Sequence, residues 1–323
     1  MKLKAVGVDL AKHVFVLHGV DEHGKCVLRK KVRREKWLAE LRQLAPTVVA
    51  MEACGGAHYW AREIEKMGHT VRLIAAQYVK PYVKTNKNDF NDAEAICEAV
   101  QRPGMRFVLP KTAEQQQMQA MHRVRELWVK QRTAVANQIR GLLAEFGIIL
   151  PLGIAQMRKQ IGAVLEDADN GVPYRVRELI DQLRERLRVL DQDIAQHEKQ
   201  LKALYDESEL CRRIGELPGI GVITATAVVA SAGDAKQFRN GRGFAAWIGL
   251  VPKQHSSGGK TVLQGISKRG NPYLRKLLIH GARAMVRTAD KKTDARSVWI
   301  QSLKERRGYC RTAVAVANKQ ARI

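Results

Sequence analysis

The chain has 323 residues, 45% of them hydrophobic and 27% charged, which are ordinary values for a folded protein and exclude wholesale disorder. That length predicts about two domains, each able to bury a core without disulfide staples. Lys and Arg number 56 against 32 Asp and Glu, a net charge of +24. The excess is uneven: the 88 residues of segment 236–323 hold 20 basic and 3 acidic side chains. Such a concentration repels itself unless an anion offsets it, so a polyanion is the expected partner.

The five cysteines are Cys26, Cys54, Cys97, Cys211 and Cys310, with no CxxC pair. That scatter argues against a zinc ribbon or a thioredoxin-type motif and predicts free thiols in a reducing cytosol. The start, MKLKAVGVDLAKHVFV, is too short and too charged for a signal peptide, and no run of 18 apolar residues suggests a membrane span. The expected location is cytoplasmic, at the nucleoid, with no membrane partner.

Strands are expected over Lys4–Asp9, His13–Val20 and Cys26–Val32, the last two joined by the hairpin chemistry of Asp21–Lys25. A helix follows over about Arg34–Leu44. Thr47–Met51 and Thr70–Ile74 read as strands, His58–Met67 and Asp89–Gln101 as helices, with Asp89 placed to cap the latter. A strand meander followed by alternating strands and helices predicts an α/β domain over residues 1–110. Residues 112–146 form a long helical run. Over 176–204, Val176, Ile180, Leu183, Leu187, Leu190, Ile194, His197, Leu201 and Leu204 recur at steps of four and three. That 3.5-residue period predicts a left-handed coiled coil, paired with the 112–146 helix, with a second chain, or with both. It belongs to a helical dimerisation region over 111–209. From about Leu210 the chain reads as helical with Gly-rich connections, a mainly α-helical basic domain over 210–323.

Four carboxylates stand out. Asp9 follows the apolar run 5–8 and Glu52 follows the apolar run 48–51, so both sit at strand ends. Asp89 and Asp92, three apart at a helix start, share a face. Together they are the oxygen ligands that Mg²⁺ takes alongside phosphate oxygens. Two such ions would clamp the attacking and leaving oxygens of a phosphodiester. Each residue alone also reads as a strand-end or ion-pairing carboxylate.

The order Asp on the first strand, Glu on the fourth and Asp-x-x-Asp on a late helix resembles the RNase H-like (RuvC-like) nuclease fold. The segments GVDLAKHVF (7–15), MEACG (51–55) and NKNDFNDAEAI (86–96) resemble the N-terminal domain of DEDD-type insertion-sequence transposases, insertion-sequence family 110 and within it the 1111 subgroup. Near the other end, FAAWIGLVPKQHSSGGK (244–260) and GISKRGNPYLR (265–275) are similar to the C-terminal domain of the same family. The resemblance spans most of residues 4–320. It implies a DNA recombinase with Asp9, Glu52, Asp89 and Asp92 as catalytic metal ligands. It also implies a nucleophilic serine in the basic domain, here Ser257, with Ser267 and Ser256 as competitors. Guidance by a structured bridge RNA, and a dimer or tetramer that joins two DNA partners, are implied as well.

Leu217–Ala225 (LPGIGVITA) reads as the hairpin of a helix-hairpin-helix, where Gly219 and Gly221 let backbone N–H groups approach a phosphate. A tight helix–helix turn is the plainer reading. Lys260, Lys268, Arg269 and Arg275 are further candidate phosphate partners. His255 is a weaker candidate general base, since no Asp accompanies it at triad spacing. Two other enzyme classes stay open: a RuvC-like endonuclease that hydrolyses branched DNA with water, and an actin-like or sugar-kinase ATPase built on Gly7-Val8-Asp9. The ATPase leaves the basic segment unexplained. A nucleic-acid-binding protein without catalysis would tolerate loss of Asp9.

Overall fold

A computed structural model describes residues 3–84 and 88–323, so Asn86 and Lys87 of the NKNDFNDAEAI motif lie outside the described residues. The chain divides into two compact units, one ending at Ala113 and the other running from Glu114 to Ile323.

The first unit is a six-stranded sheet with helices on both faces. Its elements are β1 (Ala5–Leu10), β2 (Val14–Val20), β3 (Cys26–Arg33), α1 (Trp37–Arg42), β4 (Val48–Glu52), α2 (Ala57–Glu65), β5 (Thr70–Ile74), α3 (Ala76–Val79), α4 (Asp89–Val100) and β6 (Phe107–Val108). The sheet order is β3-β2-β1-β4-β5-β6. β1 lies antiparallel to β2 and parallel to β4, and β4 lies parallel to β5. The β2–β3 turn has Gly24 at φ +80 and Asp21 Oδ1 accepting from the His23 and Lys25 amides at 2.9 Å each.

Alternation along the strands decides which face each residue meets. Val6, Val8, Phe15, Leu17, Val49, Met51 and Leu73 pack against Trp37 and Leu41 of α1 and Trp60 and Ile64 of α2. The opposite face carries Ala5, Gly7 and Ala50 against α4, with Ala95, Ile96, Cys97 and Ala99 buried in that contact. α1 is shorter than expected and β6 had no clear sequence signal; a two-residue edge strand carries too little periodicity to read.

The second unit is mainly helical. It holds α5 (Ala113–Ala144), α6 (Ile154–Glu166), α7 (Tyr174–Glu207), α8 (Glu209–Gly215), α9 (Val222–Ala232), α10 (Gly241–Ile248), β7 (Pro252–Ser257), β8 (Lys260–Ile266), α11 (Pro272–Ala289), α12 (Ala295–Arg307) and α13 (Tyr309–Ala321). The heptad positions of α7 are its buried ones: Ile180, Leu187, Leu190, Ile194 and Leu201. α5 supplies a partner within the same chain. Arg125 Nε donates to Glu198 at 2.8 Å and Arg132 Nη1 to Asp191 at 3.2 Å, so the two helices run antiparallel. His197, the polar member of the seam, lies 2.9 Å from the carbonyl of Met121 and edge-on to Trp128. Among the described residues no helix is long and apolar enough to cross a membrane.

The region beyond Leu210 is mainly helical, as expected, and adds β7 and β8, an antiparallel hairpin pairing Ser257 with Lys260 and Ser256 with Thr261. Its turn is Gly258-Gly259, at φ +54 and +77. Two left-handed residues make the primed turn that matches strand twist, and Gly adopts them without Cβ strain. The Gly-Gly pair between Ser-Ser and Lys-Thr-Val was the available signal.

A buried polar chain ties α5, α9 and α11 together. The Thr226 hydroxyl donates to the Val222 carbonyl at 2.7 Å, so it accepts from His122 Nε2 at 3.0 Å. His122 Nδ1 is then the acceptor for the Tyr273 hydroxyl, also at 3.0 Å. Burial, with smaller contributions from Arg125 and His197, pushes His122 down to about 4. A histidine depressed below its unfolded value of 6.5 binds a proton more readily when unfolded, so its contribution is full above pH 6.5 and is lost as pH falls toward 4. The expected loss across that window is roughly 3 kcal/mol. Urea midpoints from pH 7.5 to 4.5 should fall faster for wild type than for His122→Gln; parallel profiles would show that this histidine is not held neutral by the fold.

Candidate active site

Asp9 and Glu52 lie on neighbouring strands at one end of the first unit's sheet, and the first turn of α4, with Asp89 and Asp92, lies toward the same end. Asp9 is one register step beyond the Val8–Met51 pair of the parallel strands β1 and β4, which puts it beside Glu52. Adjacent strands lie about 4.8 Å apart. Period-two alternation puts Asp9 with Gly7 and Glu52 with Ala50, the residues on the α4 side. Asp9 and Glu52 are half-buried there.

Gly7 decides where α4 lies. A Cβ at this position would fall 2.3 Å from the Ala93 carbonyl oxygen and 2.5 Å from the Cys97 amide nitrogen. Only glycine permits this approach. Cys97 Sγ lies 3.7 Å from the Ala5 carbonyl, so α4 runs antiparallel to β1. Its first turn, with Asp89 and Asp92, therefore arrives at the Asp9 end. The cap is Asn88 rather than Asp89: Asn88 Oδ1 accepts from the Phe90 and Asn91 amides at 3.0 Å each. Asp89 is instead the first helical residue, where the positive end of the helix dipole favours a carboxylate.

Two neighbours were not singled out from the sequence. Lys31 of β3 pairs with Asp89 at 3.4 Å, in the strand row that continues through Val16 to Asp9. Both partners are exposed, so the pair is weak and easily exchanged. The Cys54 thiol is pushed up by burial, then by the Glu52 carboxylate and, more weakly, by Asp9. Among the described residues no group of three or more His, Cys, Asp or Glu side chains closes tightly enough to hold a metal by itself.

Ser257 belongs to the second unit, at the exposed tip of the β7–β8 hairpin. Nothing lies within 4 Å of where a Cβ would stand on Gly258 or Gly259, so this tip is open to a large partner. Ser257, His255 and the cross-strand Lys260 share one hairpin face. Ser256 points to the other face, accepting from Gln254 Nε2 at 2.9 Å. Ser267 sits at the hairpin base, its amide bonded to the Val251 carbonyl at 2.8 Å.

Among the described residues Lys268 is the non-glycine residue with a left-handed backbone, φ +55, and its side chain and that of Arg269 are exposed. The backbone beneath them is clamped. Gly249 passes so close that a Cβ would meet the Arg269 carbonyl at 2.2 Å, and one on Gly270 would meet the Trp247 carbonyl at 1.9 Å. Arg275, expected on phosphate, turns inward: its Nη1 donates to the Ile248 and Arg269 carbonyls at 2.8 and 2.9 Å. It braces the loop that displays Lys268 and Arg269. The two hairpin glycines also differ. Gly219, at φ +79, is packed against α11 and α13, its carbonyl 1.9 Å from where a Cβ on Gly281 would stand. Gly221 is exposed and open at the start of α9.

The carboxylate-edged mixed sheet and the basic, largely helical second unit each match a known transposase family model. Residues 6–148 match the model DEDD_Tnp_IS110, described as "Transposase", and residues 211–297 match one described as "Transposase IS116/IS110/IS902 family". A "Probable family 20 transposase" of Pseudomonas aeruginosa is 54% identical, the match covering 100% of this chain and 96% of the relative. The "Transposase for insertion sequence element IS1111A" of Coxiella burnetii is 48% identical over 99% of this chain and 88% of the relative. The "Transposase for insertion sequence element IS1328" of Yersinia enterocolitica is 43% identical over 98% and 94%. The chain belongs to the IS116/IS110/IS902 transposase family.

Proposed function

We propose that this transposase cuts and rejoins DNA through a transient phosphoserine link, with its first unit acting as an RNase H-like (RuvC-like) catalytic domain. The observation that carries the reading is the meeting of Asp9 and Glu52, on neighbouring parallel strands, with the first turn of α4 at one sheet end. The donor set fits hard divalent cations such as Mg²⁺: all carboxylate oxygens, partly exposed, and incomplete without phosphate oxygens, which Mg²⁺ prefers to share. Asp9, Glu52, Asp89 and Asp92 would hold the metal, which when bound would neutralise charge on a phosphodiester and lower the pKa of an attacking hydroxyl.

Ser257 Oγ attacks the phosphorus, the bond to the leaving deoxyribose oxygen breaks, and the serine proton passes to that oxygen. A hydroxyl from the second DNA partner then displaces Ser257 and returns the proton, so no net hydrolysis occurs. Lys260, opposite Ser257, and Lys268 and Arg269 on the braced loop hold phosphates, while Arg275 positions that loop. The helix-hairpin-helix reading gives Gly221 and the first amides of α9 a phosphate contact and leaves Gly219 to shape the turn. The long helices α5 and α7 form a coiled-coil module that brings two or four copies together on two DNA partners. A structured bridge RNA from the element selects those partners, and the basic surface of the second unit suits either nucleic acid.

A covalent-adduct assay tests this. Element-end DNA, its flanking noncoding RNA and Mg²⁺ are mixed with wild type, Ser257→Ala or Asp9→Asn and run on a denaturing gel. Wild type should give a protein–DNA adduct that both variants lack. Nicked DNA without adduct, unchanged by Ser257→Ala, would replace this mechanism with hydrolysis.

A further inference from the structure

β3 is the outer strand of the first unit's sheet, and its exposed end is basic: Arg29, Lys30, Lys31 and Arg33. Lysine on an edge strand blocks strand addition whichever way it points. Here the two faces differ. Lys30 faces α1, where it pairs with Glu40 at 2.6 Å. Arg29, Lys31 and Arg33 alternate onto the face that carries α4, in register with His18, Val16 and Val14 of β2. Two residues of strand advance by about 6.7 Å, so these cations stand in a row that an extended sugar–phosphate backbone can follow. The row runs past the carboxylate end. Lys31 continues through Val16 to Asp9, and Arg29 continues through His18 to Gly7.

The row borders a cleft. Between β2, β3 and the C-terminal half of α4 lies a cavity of about 540 Å³, lined by Lys4, Arg29, Lys84 and Arg102 against Glu94 and Glu98. Lys84 pairs with Glu94 at 2.8 Å and Arg102 pairs with Glu98, so the positive excess rests on Lys4 and Arg29. Arg29 lies 4.6 Å over the Phe90 ring, which holds the guanidinium without neutralising it. Beside Arg29, His18 also lines the cleft and is only 8% exposed. Its Nδ1 lies 4.0 Å from Cys26 Sγ, and its Nε2 has no hydrogen bond among the described residues. That nitrogen is not sealed: the side-chain atoms closed off without a partner belong to Trp37, Arg132 and Gln320. The sulfur contact is weak, so Nε2 is free to carry the ring proton and donate it to an anion.

We infer that the groove formed by this row and the cleft carries the DNA strand to be cut, with one phosphate on Arg29 and His18 Nε2 and the next on Lys31, beside Asp9. The Lys31–Asp89 contact, exposed and 3.4 Å long, is weak enough to be exchanged for that phosphate. The row is one cation wide, so it follows a single backbone, as the grooves of single-strand binders do. The inference rests on the reading of the carboxylates as the site that cuts DNA. No covalent step is involved; the groove fixes the path by which the strand reaches Asp9 and Glu52.

Cys26, exposed and lining the cleft, reports whether the groove is filled. The full chain is treated with iodoacetamide without Mg²⁺, so that nothing is cut, and alkylation of Cys26 is followed by mass spectrometry with and without a short single strand of element-end DNA. Saturating DNA should slow the reaction several-fold in wild type and in Lys30→Gln, whose side chain is on the other face. The triple variant Arg29→Gln, Lys31→Gln, Arg33→Gln should lose that protection; all three side chains are exposed, so it should fold. Its DNA affinity should also depend less on salt, the slope of log K against log salt falling by about 2, since each single-strand phosphate contact contributes about 0.7. Unchanged alkylation of Cys26 under saturating DNA, or protection that survives the triple variant, overturns the groove while leaving DNA binding elsewhere intact. Protection by RNA of the same sequence and not by DNA overturns it too, by giving the groove to RNA. A chain that binds neither strand overturns the nucleic-acid reading, and the groove with it. Cutting is not measured in this assay, so failure of the carboxylate reading shows separately, in the cleavage rate of Asp9→Asn.

Discussion

Replacing Asp9 by Asn should reduce DNA cleavage and joining by at least roughly a thousandfold while leaving the fold intact, since metal charge stabilisation is worth several kcal/mol and each 1.36 kcal/mol is tenfold. Asparagine keeps the shape of the side chain and removes its charge. The first unit's core does not depend on that charge: Asp9 lies at the strand end, beyond buried Val6 and Val8. The substitution is isosteric and lies outside the buried core, so the variant should melt close to the wild-type temperature. DNA binding should persist, because one negative charge has been removed near a polyanion. Cleavage rate in Mg²⁺, thermal melting and DNA affinity, measured together, separate these effects. A variant that still cuts at the wild-type rate would remove Asp9 from the chemistry, and with it the geometric case for the sheet-end site.

Gly7→Ala should damage both stability and activity through one added methyl group. The new carbon would lie 2.3 Å from the Ala93 carbonyl oxygen and 2.5 Å from the Cys97 nitrogen, backbone atoms that cannot rotate away. Either β1 bends or α4 lifts from the sheet. Overpacking of this kind costs about 1–3 kcal/mol. For a domain the size of the first unit that is a fall of several degrees or more in melting temperature. Lifting α4 also carries Asp89 and Asp92 away from Asp9 and Glu52, so cleavage should fall further than the lost stability accounts for. The readouts are the melting temperature and the cleavage rate at a temperature where the variant is fully folded. Wild-type values for both would mean that α4 does not depend on this contact.

Much of the first unit was legible because its signals are local. Three strands with a Gly-containing turn, two short apolar runs ending in acids and an Asp-x-x-Asp helix start are each written within a short run of consecutive residues. Lys31 escaped notice because it reaches Asp89 only across the sheet and through the packing of α4, 58 positions along the chain. Arg275 makes contacts that the sequence did not show, for a related reason. A cation in a basic segment reads as a phosphate partner, yet its Nη1 satisfies two carbonyls at the end of α10 and in the 267–271 loop. The β7–β8 hairpin was missed although its Gly-Gly turn was visible, because both strands are exposed and lack an inward apolar face.

The sequence by itself determined the chemical inventory: which residues carry charge, where most helices and strands of the first unit lie, and the 3.5-residue seam of α7. These follow from periodicity, capping and turn chemistry, which act over a few bonds. Only the tertiary structure decided which partner each face meets. α7 found α5 of its own chain through Arg125–Glu198 and Arg132–Asp191, where the seam alone allowed a second copy. Asp9 and Glu52 became neighbours through the parallel register of β1 and β4, and α4 joined them because Gly7 leaves no side chain in the way. The reason is physical: register and close approach depend on atoms distant in the chain, and no local pattern records how far apart they come to rest.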